Sequence, residues 1–443
     1  MSDRTETIIG TLSDAFGELM TSDPDAFRTK YRKMAADPFA FYRGSACLFH
    51  HDVTRDDAWD DSAWDDSAWV DERTSRIWIH GDLHAENFGT YMDSDGRLVF
   101  DVNDFDEAYV GHFTWDLMRF AASIGLLGWQ KALPEDAVRD LIATYLRAYL
   151  DQVDHYAAHD DDEYALRLDN TEGVVHALLA TARETARVDL LDGMTEVRDG
   201  RRRFLDDDST RRLDDEERAT VETAFAAYVD TIPADKRMGR DVFYEVRDVV
   251  GKRGIGIGSA GLPKYSVLVE GFNQALDNDV VLSMKQANVP AVSRFLDDDA
   301  VESYFAHEGE RTVVSQRALQ AHTDPLLGWT TIDGVGYMVS EVSPYEHDLE
   351  WDDVVDPEVM AQVVEVLGRA TAKVHCTADE DSEQDLVTFQ VEDAVVAALE
   401  GRRDEFVSWT VDFGIGYAAT VRDDHALFVE AFREGRIGGV DPV

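Results

Sequence analysis

One change of period constrains this chain more than anything else in it. Apolar residues recur at helical spacing through most of the first 240 positions, as in Ile8, Ile9, Leu12, Phe16 and Leu19. From Val242 the pattern shifts: "RGIGIGSAGLPKYSVLVEG" and "DVVLSMKQA" are β-rich and cut by glycines, and "GVGYMVSEVSP" reads as a further strand after a helix in "RTVVSQRALQAH". The last hundred residues return to helix, most clearly over 357–376. Within the first helical part, "RIWIH" and "RLVFDV" read as short strands around a "DSDG" turn. The order implies an α+β protein: 1–240 helical with one hairpin, 241–345 a β-rich unit, 346–443 helices that complete the helical part.

Residues 5–34 carry one helical period and are expected to form a helix. In "DDAWDDSAWDDSAWVDE", Trp59, Trp64 and Trp69 recur every five residues, which suits neither a helix face nor a strand face, and a surface insertion is expected. The Arg- and Asp-rich segment 192–217, with Arg201, Arg202 and Arg203, reads as a solvated loop or hairpin.

Charge narrows the partners. The 90 Asp and Glu against 42 Lys and Arg give a net charge of −48, and only eight of the 42 are lysines, a surface suited to high salt. Such a field repels phosphate backbones and argues against nucleic-acid binding. Cys47 and Cys376 are too few for a disulfide framework. The first twenty residues lack a signal-peptide pattern, and no run approaches the ~18 apolar residues of a membrane span. A cytoplasmic protein with no membrane partner is expected.

Gly256, Gly258 and Gly261 form GxGxxG, but an alternating strand follows, with Pro263, Tyr265, Val267 and Val269 where a dinucleotide fold would have a helix. That context suits a glycine-rich hairpin folding over nucleotide phosphates. A lysine on the next strand should hold those phosphates, and Lys285 in "VVLSMKQA" is placed to do so. Gly256, Gly258, Ser259, Gly261 and Lys285 thus form the nucleotide-binding set, with Glu310 or Gln316 as the residue orienting Lys285.

Phosphoryl transfer also needs a carboxylate beside the attacking hydroxyl and hard oxygen ligands for Mg2+. In "HGDLHAEN", Asp82 and Asn87 have D-x-x-x-x-N spacing, and Asp104 follows in "NDFDEA". Asp82 is the candidate base; Asn87 and Asp104 are the candidate metal ligands. These stretches, with "DFDEAYVGHFTWDL", resemble the motifs of aminoglycoside and choline-type phosphotransferases, which have a protein-kinase-like fold. More closely, "PFAFYRGSA", "HGDLHAENFG", "NDFDEA" and "GIGSAG…VLSMKQA" together resemble the prokaryotic domain-of-unknown-function family numbered 2252. The resemblance implies Mg-ATP as co-substrate and an unidentified acceptor. It also implies that Asp116 of "WDL" is the aspartate that begins the next helix and braces the 80–87 loop.

The motif order differs from that of kinases, in which the Gly-rich loop and lysine precede the catalytic loop. Read as a circle starting at Gly256, the order becomes Gly-rich turn, Lys285, helix 312–322, strand 335–342, helix 357–376, Asp82, Asn87, Asp104. A two-lobed, circularly permuted kinase-like fold is therefore expected, with helix 357–376 beneath the 80–87 loop. Alternatives are a metal-dependent phosphoesterase using His80, Asp82, His84, Asn87 and Asp101 or Asp104, a non-catalytic nucleotide-binding pseudokinase, and transfer of AMP instead of phosphate. His80 and His84 are read as loop-shaping residues before bases. Asp101 and Asp106 are either supporting acids or surface charge. Arg43, in the apolar "FYRGS", must meet either a core carboxylate or a phosphate, because an unpaired buried guanidinium is costly. Tyr345 and "SEVSP" are candidates for an adenine-contacting hinge.

Overall fold

The computed structural model describes residues 2–54, 64–159, 165–240, 242–252, 260–296, 298–320, 322–382 and 384–442. The chain opens with α1 (Ser2–Ser22), α2 (Pro24–Met34), α3 (Pro38–Gly44) and α4 (Ala46–Thr54). The single helix expected over 5–34 is two. Pro24 has no N–H to continue α1, and the Asp23 carboxylate accepts the Ala26 N–H at 3.0 Å, capping a new helix.

Short strands β1 (Ile77–Ile79), β2 (Phe88–Met92), β3 (Leu98–Val102) and β4 (Tyr109–Gly111) follow, then α5 (Phe113–Gln130), α6 (Glu135–Ala158), α7 (Gly173–Glu184) and α8 (Arg187–Met194). Next come β5 (Thr195–Arg198), β6 (Arg201–Phe204), β7 (Thr210–Arg212), α9 (Asp215–Val229), β8 (Val246–Lys252), β9 (Lys264–Val269) and β10 (Val280–Gln286). The chain closes with α10 (Asp299–Glu302), α11 (Glu308–Leu319), β11 (Gly328–Ile332), β12 (Val335–Glu341), β13 (His347–Asp348), α12 (Pro357–Thr377), α13 (Val391–Ala398) and α14 (Arg403–Arg433). The architecture is α+β, as the change of period implies.

Six antiparallel strands form one sheet in the order β11-β12-β10-β9-β8-β7. Its strands alternate as a two-sided sheet must. Val267, Val269, Leu282 and Met284 pack with Val221, Phe225 and Tyr228 of α9, while Val250, Leu268 and Val281 meet Leu191 and Phe204 on the other face. The packing partners of the sheet thus begin at Leu191, so α9 and β7 join the unit expected over 241–345. In the segment expected to be solvated, β5 and β6 do form a hairpin, but Arg202 is 4% exposed and donates to Thr195 Oγ1 at 2.9 Å and Leu276 O at 3.1 Å.

The helices share one large core in which α12 runs along α6 and α5 along α14. At the α5–α14 crossing a Cβ on Gly125 would lie 2.8 Å from Gly414 O, so only glycine permits that approach. The tryptophan repeat is not a surface feature where it is described. Trp69 is 6% exposed against Phe406 and Trp409, and Trp64 stands edge-on to Phe413, with centroids 4.8 Å apart. Burial against α14 removes large apolar rings from water, which outweighs their acidic flanks in sequence. Trp59 lies outside the described residues.

Candidate active site

The loop after β1 is held by buried polar groups on every side. Gly81 has φ +78°, and a Cβ there would fall 2.3 Å from Glu107 O. Asp116, at the start of α5, accepts the His80 and Gly81 N–H groups at 2.6 and 2.9 Å and His375 Nε2 of α12 at 3.1 Å. Burial opposes its ionisation, but these bonds hold the Asp116 carboxyl below its ordinary value. His50 Nε2 donates to Gly81 O at 2.7 Å. His80 is fully buried; its Nε2 donates to Asn103 O at 2.8 Å and its Nδ1 accepts the Asp82 N–H at 3.3 Å. Both of its ring nitrogens are occupied in shaping the loop.

Asp82 turns its carboxylate to Arg119, whose Nε donates at 2.6 Å. Arg119 is itself fully buried, 4.2 Å beneath the Tyr42 ring, and also donates to Tyr42 O at 3.1 Å. Asn87 is buried, and its Nδ2 donates to Asp82 O at 3.1 Å. Asn103 N–H donates to Asn87 O at 3.0 Å, which sets the next residue, Asp104, beside this loop. Asp104 takes a left-handed conformation, φ 60° and ψ 68°, with its side chain open to solvent at the cleft and not hydrogen-bonded to any described residue. The protein surrounding the cleft restricts its hydration and, with the neighbouring Asp106, raises its carboxyl above the ordinary value, against the pull of Lys285.

Lys285, on β10, ion-pairs with Asp106, a residue 179 positions earlier in the chain. Burial would lower the Lys285 ammonium, but Asp106 and Asp104 raise it, so it stays charged. The orienting partner is therefore Asp106 and neither residue expected on the following helix. Glu310 accepts the Ala306 N–H at 2.7 Å, and Gln316 donates to Gln320 Oε1 at 3.1 Å. From that helix it is Arg311 that reaches in, donating to Asp106 O and Asn288 O, each at 2.8 Å. Glu107 accepts Asn288 Nδ2 at 2.9 Å and the Ala291 N–H, and burial pushes its carboxyl up to about 7. Gly256, Gly258 and Ser259 lie outside the described residues. Gly261 is in a left-handed turn facing α2, where an added Cβ would meet Phe27 Cε2 at 3.1 Å.

Asp82, Asp104, Asp106 and Glu107 line one cleft together with Lys30 and Arg43. Asp101 is elsewhere: it forms a buried ion pair with Lys373 of α12. His84 is buried, its ring edge-on to Phe39 and its Nδ1 accepting the Glu86 N–H at 3.3 Å. Arg43 pairs with Glu86, although its Nε is buried without a partner. Tyr345 O accepts Thr90 Oγ1 at 2.7 Å, tying the segment after β12 to β2. Among the described residues no three His, Cys, Asp or Glu side chains converge to hold a metal by themselves.

A family model described as "Uncharacterized protein conserved in bacteria (DUF2252)" matches residues 22–431. The chain belongs to this family. No curated protein and no solved structure matches it. Two parts of the site in this DUF2252 chain escape motif reading. Arg119 left a trace, since a guanidinium inside the apolar "TWDLMRFAASIGLL" has to find a buried carboxylate. Lys30 left none, because its burial depends on α1 and α3 packing against α2, with the Phe16 ring of α1 over its ammonium.

Proposed function

We propose that the protein is a Mg-ATP-dependent phosphotransferase with a circularly permuted, protein-kinase-like fold, acting on a hydroxyl acceptor. The observation that carries this reading is the Lys285–Asp106 ion pair, which joins the antiparallel sheet to the segment whose Asp104 and Asp106 line one cleft with Asp82. The permuted order is supported by α12, whose His375 meets Asp116, the residue that accepts the His80 and Gly81 N–H groups. Asn87 and Asp104 suit a cation whose remaining ligands are phosphate oxygens and water. Asp104 has no hydrogen-bonded partner among the described residues, and the crowded carboxylates Asp104 and Glu107 are both raised, as expected where a positive charge is wanting.

Mg2+ supplies neutralisation of the phosphate charge when bound. Lys285 and the turn ending at Gly261 would hold the phosphates. Asp82, aimed by Arg119, would accept the acceptor's proton as the new P–O bond forms and the bond to the ADP oxygen breaks. The phosphoesterase alternative gains no support: both nitrogens of His80 are engaged in the loop, and the described residues offer no converging metal cluster. Calorimetric titration with Mg-ATP at high salt tests the proposal. Binding that is lost in Lys285→Ala is expected; no heat and no rise in melting temperature for the folded wild type would refute it. Following γ- against α-labelled ATP then separates phosphoryl from adenylyl transfer.

A further inference from the structure

The helices before β1 contribute Phe16, Lys30, Arg43 and Cys47 to the same cleft as the carboxylates, and no step above uses them. Lys30 of α2 is 3% exposed, lines the cleft, and places its Nζ 3.8 Å from the centre of the Phe16 ring. No described residue accepts a hydrogen bond from it or forms a salt bridge with it. Its neighbour Cys47 does not neutralise it, because burial pushes that thiol up to about 12. Glu107 and Asp82 act on Lys30 only at a distance across the cleft. Two guanidiniums also line this cleft: Arg43, whose buried Nε has no hydrogen-bond partner among the described residues, and Arg294, anchored to Ala15 O at 3.2 Å. A buried ammonium without a counter-ion is costly in any protein. In a chain with eight lysines against 90 acidic residues it stands out further.

We propose that Lys30 receives an oxyanion of the acceptor, so that the acceptor is a hydroxyl compound also bearing a carboxylate or phosphate. This rests on the phosphotransferase reading, and it orients the acceptor with its hydroxyl at Asp82 and its anion at the α2 wall. Gly261 lies against Phe27, three residues before Lys30, so the rival occupant of Lys30 is the terminal phosphate of the nucleotide.

The test uses the full chain at high, constant KCl, saturated with Mg2+ and a non-hydrolysable ATP analogue so that the nucleotide's phosphate positions are filled. Inorganic phosphate and acetate are then titrated separately, and the melting temperature is read. At least one of the two anions should raise it in the wild type, the effective one marking the oxyanion class, and that rise should be lost in Lys30→Met and partly kept in Lys30→Arg. Equal rises in wild type and Lys30→Met, or no rise with either anion in the wild type, would overturn the proposal. So would a tenfold or greater loss of analogue affinity in Lys30→Met, which assigns Lys30 to the nucleotide. If the wild type fails to bind the analogue, the phosphotransferase reading falls and takes the acceptor with it, whatever the anions do.

Discussion

Replacing Lys30 by methionine keeps the aliphatic stem and removes a charge that burial disfavours. Burial lowers the Lys30 ammonium from its ordinary 10.5 to about 8, and a drop of that size corresponds to roughly 3 kcal/mol lost to the folded state when the group is charged. Losing the contact with Phe16 gives back ~1 kcal/mol, so Lys30→Met should be more stable than wild type by about 2 kcal/mol near neutral pH. The sign with pH follows from linkage. Below about 8 both folded and unfolded wild type hold the proton and the full cost is present. Between about 8 and 10.5 only the unfolded state holds it, so wild-type stability rises with pH and the gap to the variant closes. Urea unfolding of both proteins at fixed high KCl, compared across this range, measures the gap directly, since all other titrations cancel in the difference. A variant less stable than wild type at neutral pH, or a gap independent of pH, would refute the assignment of Lys30 as a buried, unpaired ammonium. Stability gained by deleting a side chain in a cleft is also what a binding residue should show.

Other substitutions probe the supports of the loop. Asp82→Asn should cut turnover by roughly 10²–10⁴-fold with little change in nucleotide affinity, measured by labelled transfer and titration. Lys373→Met strands a buried Asp101 and should cost about 3–5 kcal/mol in urea unfolding, much of it recovered by adding Asp101→Asn. His50, buried against Gly81 O, is lowered from 6.5 to about 4. The unfolded chain therefore takes up a proton first as pH falls, and the wild type should lose roughly 3 kcal/mol more than His50→Gln between about pH 6.5 and 4.

Spacing in the sequence carried the local parts of this structure. The change of period near Val242 located the sheet, and the D-x-x-x-x-N stretch and Asp104 fall on a buried loop and the segment beside it because turn chemistry is written in adjacent residues. What spacing did not carry is set by partners remote in the chain. Trp69 is buried and Trp64 partly buried because α14 crosses them, and Lys285 takes Asp106 while Arg311, not a carboxylate, enters from α11. The break at Pro24 was visible as a residue, yet the apolar period runs through it and hid it.

Lysine scarcity ties these observations together. A chain with 90 acidic side chains can neutralise few of them internally, so where its eight lysines stand reflects local demand more than average composition. Lys285 meets Asp106, Lys373 meets Asp101, Lys264 stands opposite Lys285 in the sheet, and Lys30 lines the cleft, so half of the eight are set at buried carboxylates, at Lys285 or at the cleft. A fifth, Lys131, donates to Trp351 O at 2.6 Å, and the indole of that tryptophan donates to Ala85 O inside the same loop at 2.7 Å. A high-salt surface needs none of them there. Of the four carboxylates lining the cleft, Asp82 has Arg119 and Asp106 has Lys285, while Asp104 and Glu107 form no salt bridge among the described residues. Glu107 is satisfied by Ala291 N–H and Asn288. That leaves Asp104, of these four, with no hydrogen-bonded partner among the described residues, at the position where a phosphotransferase would hold its metal ion.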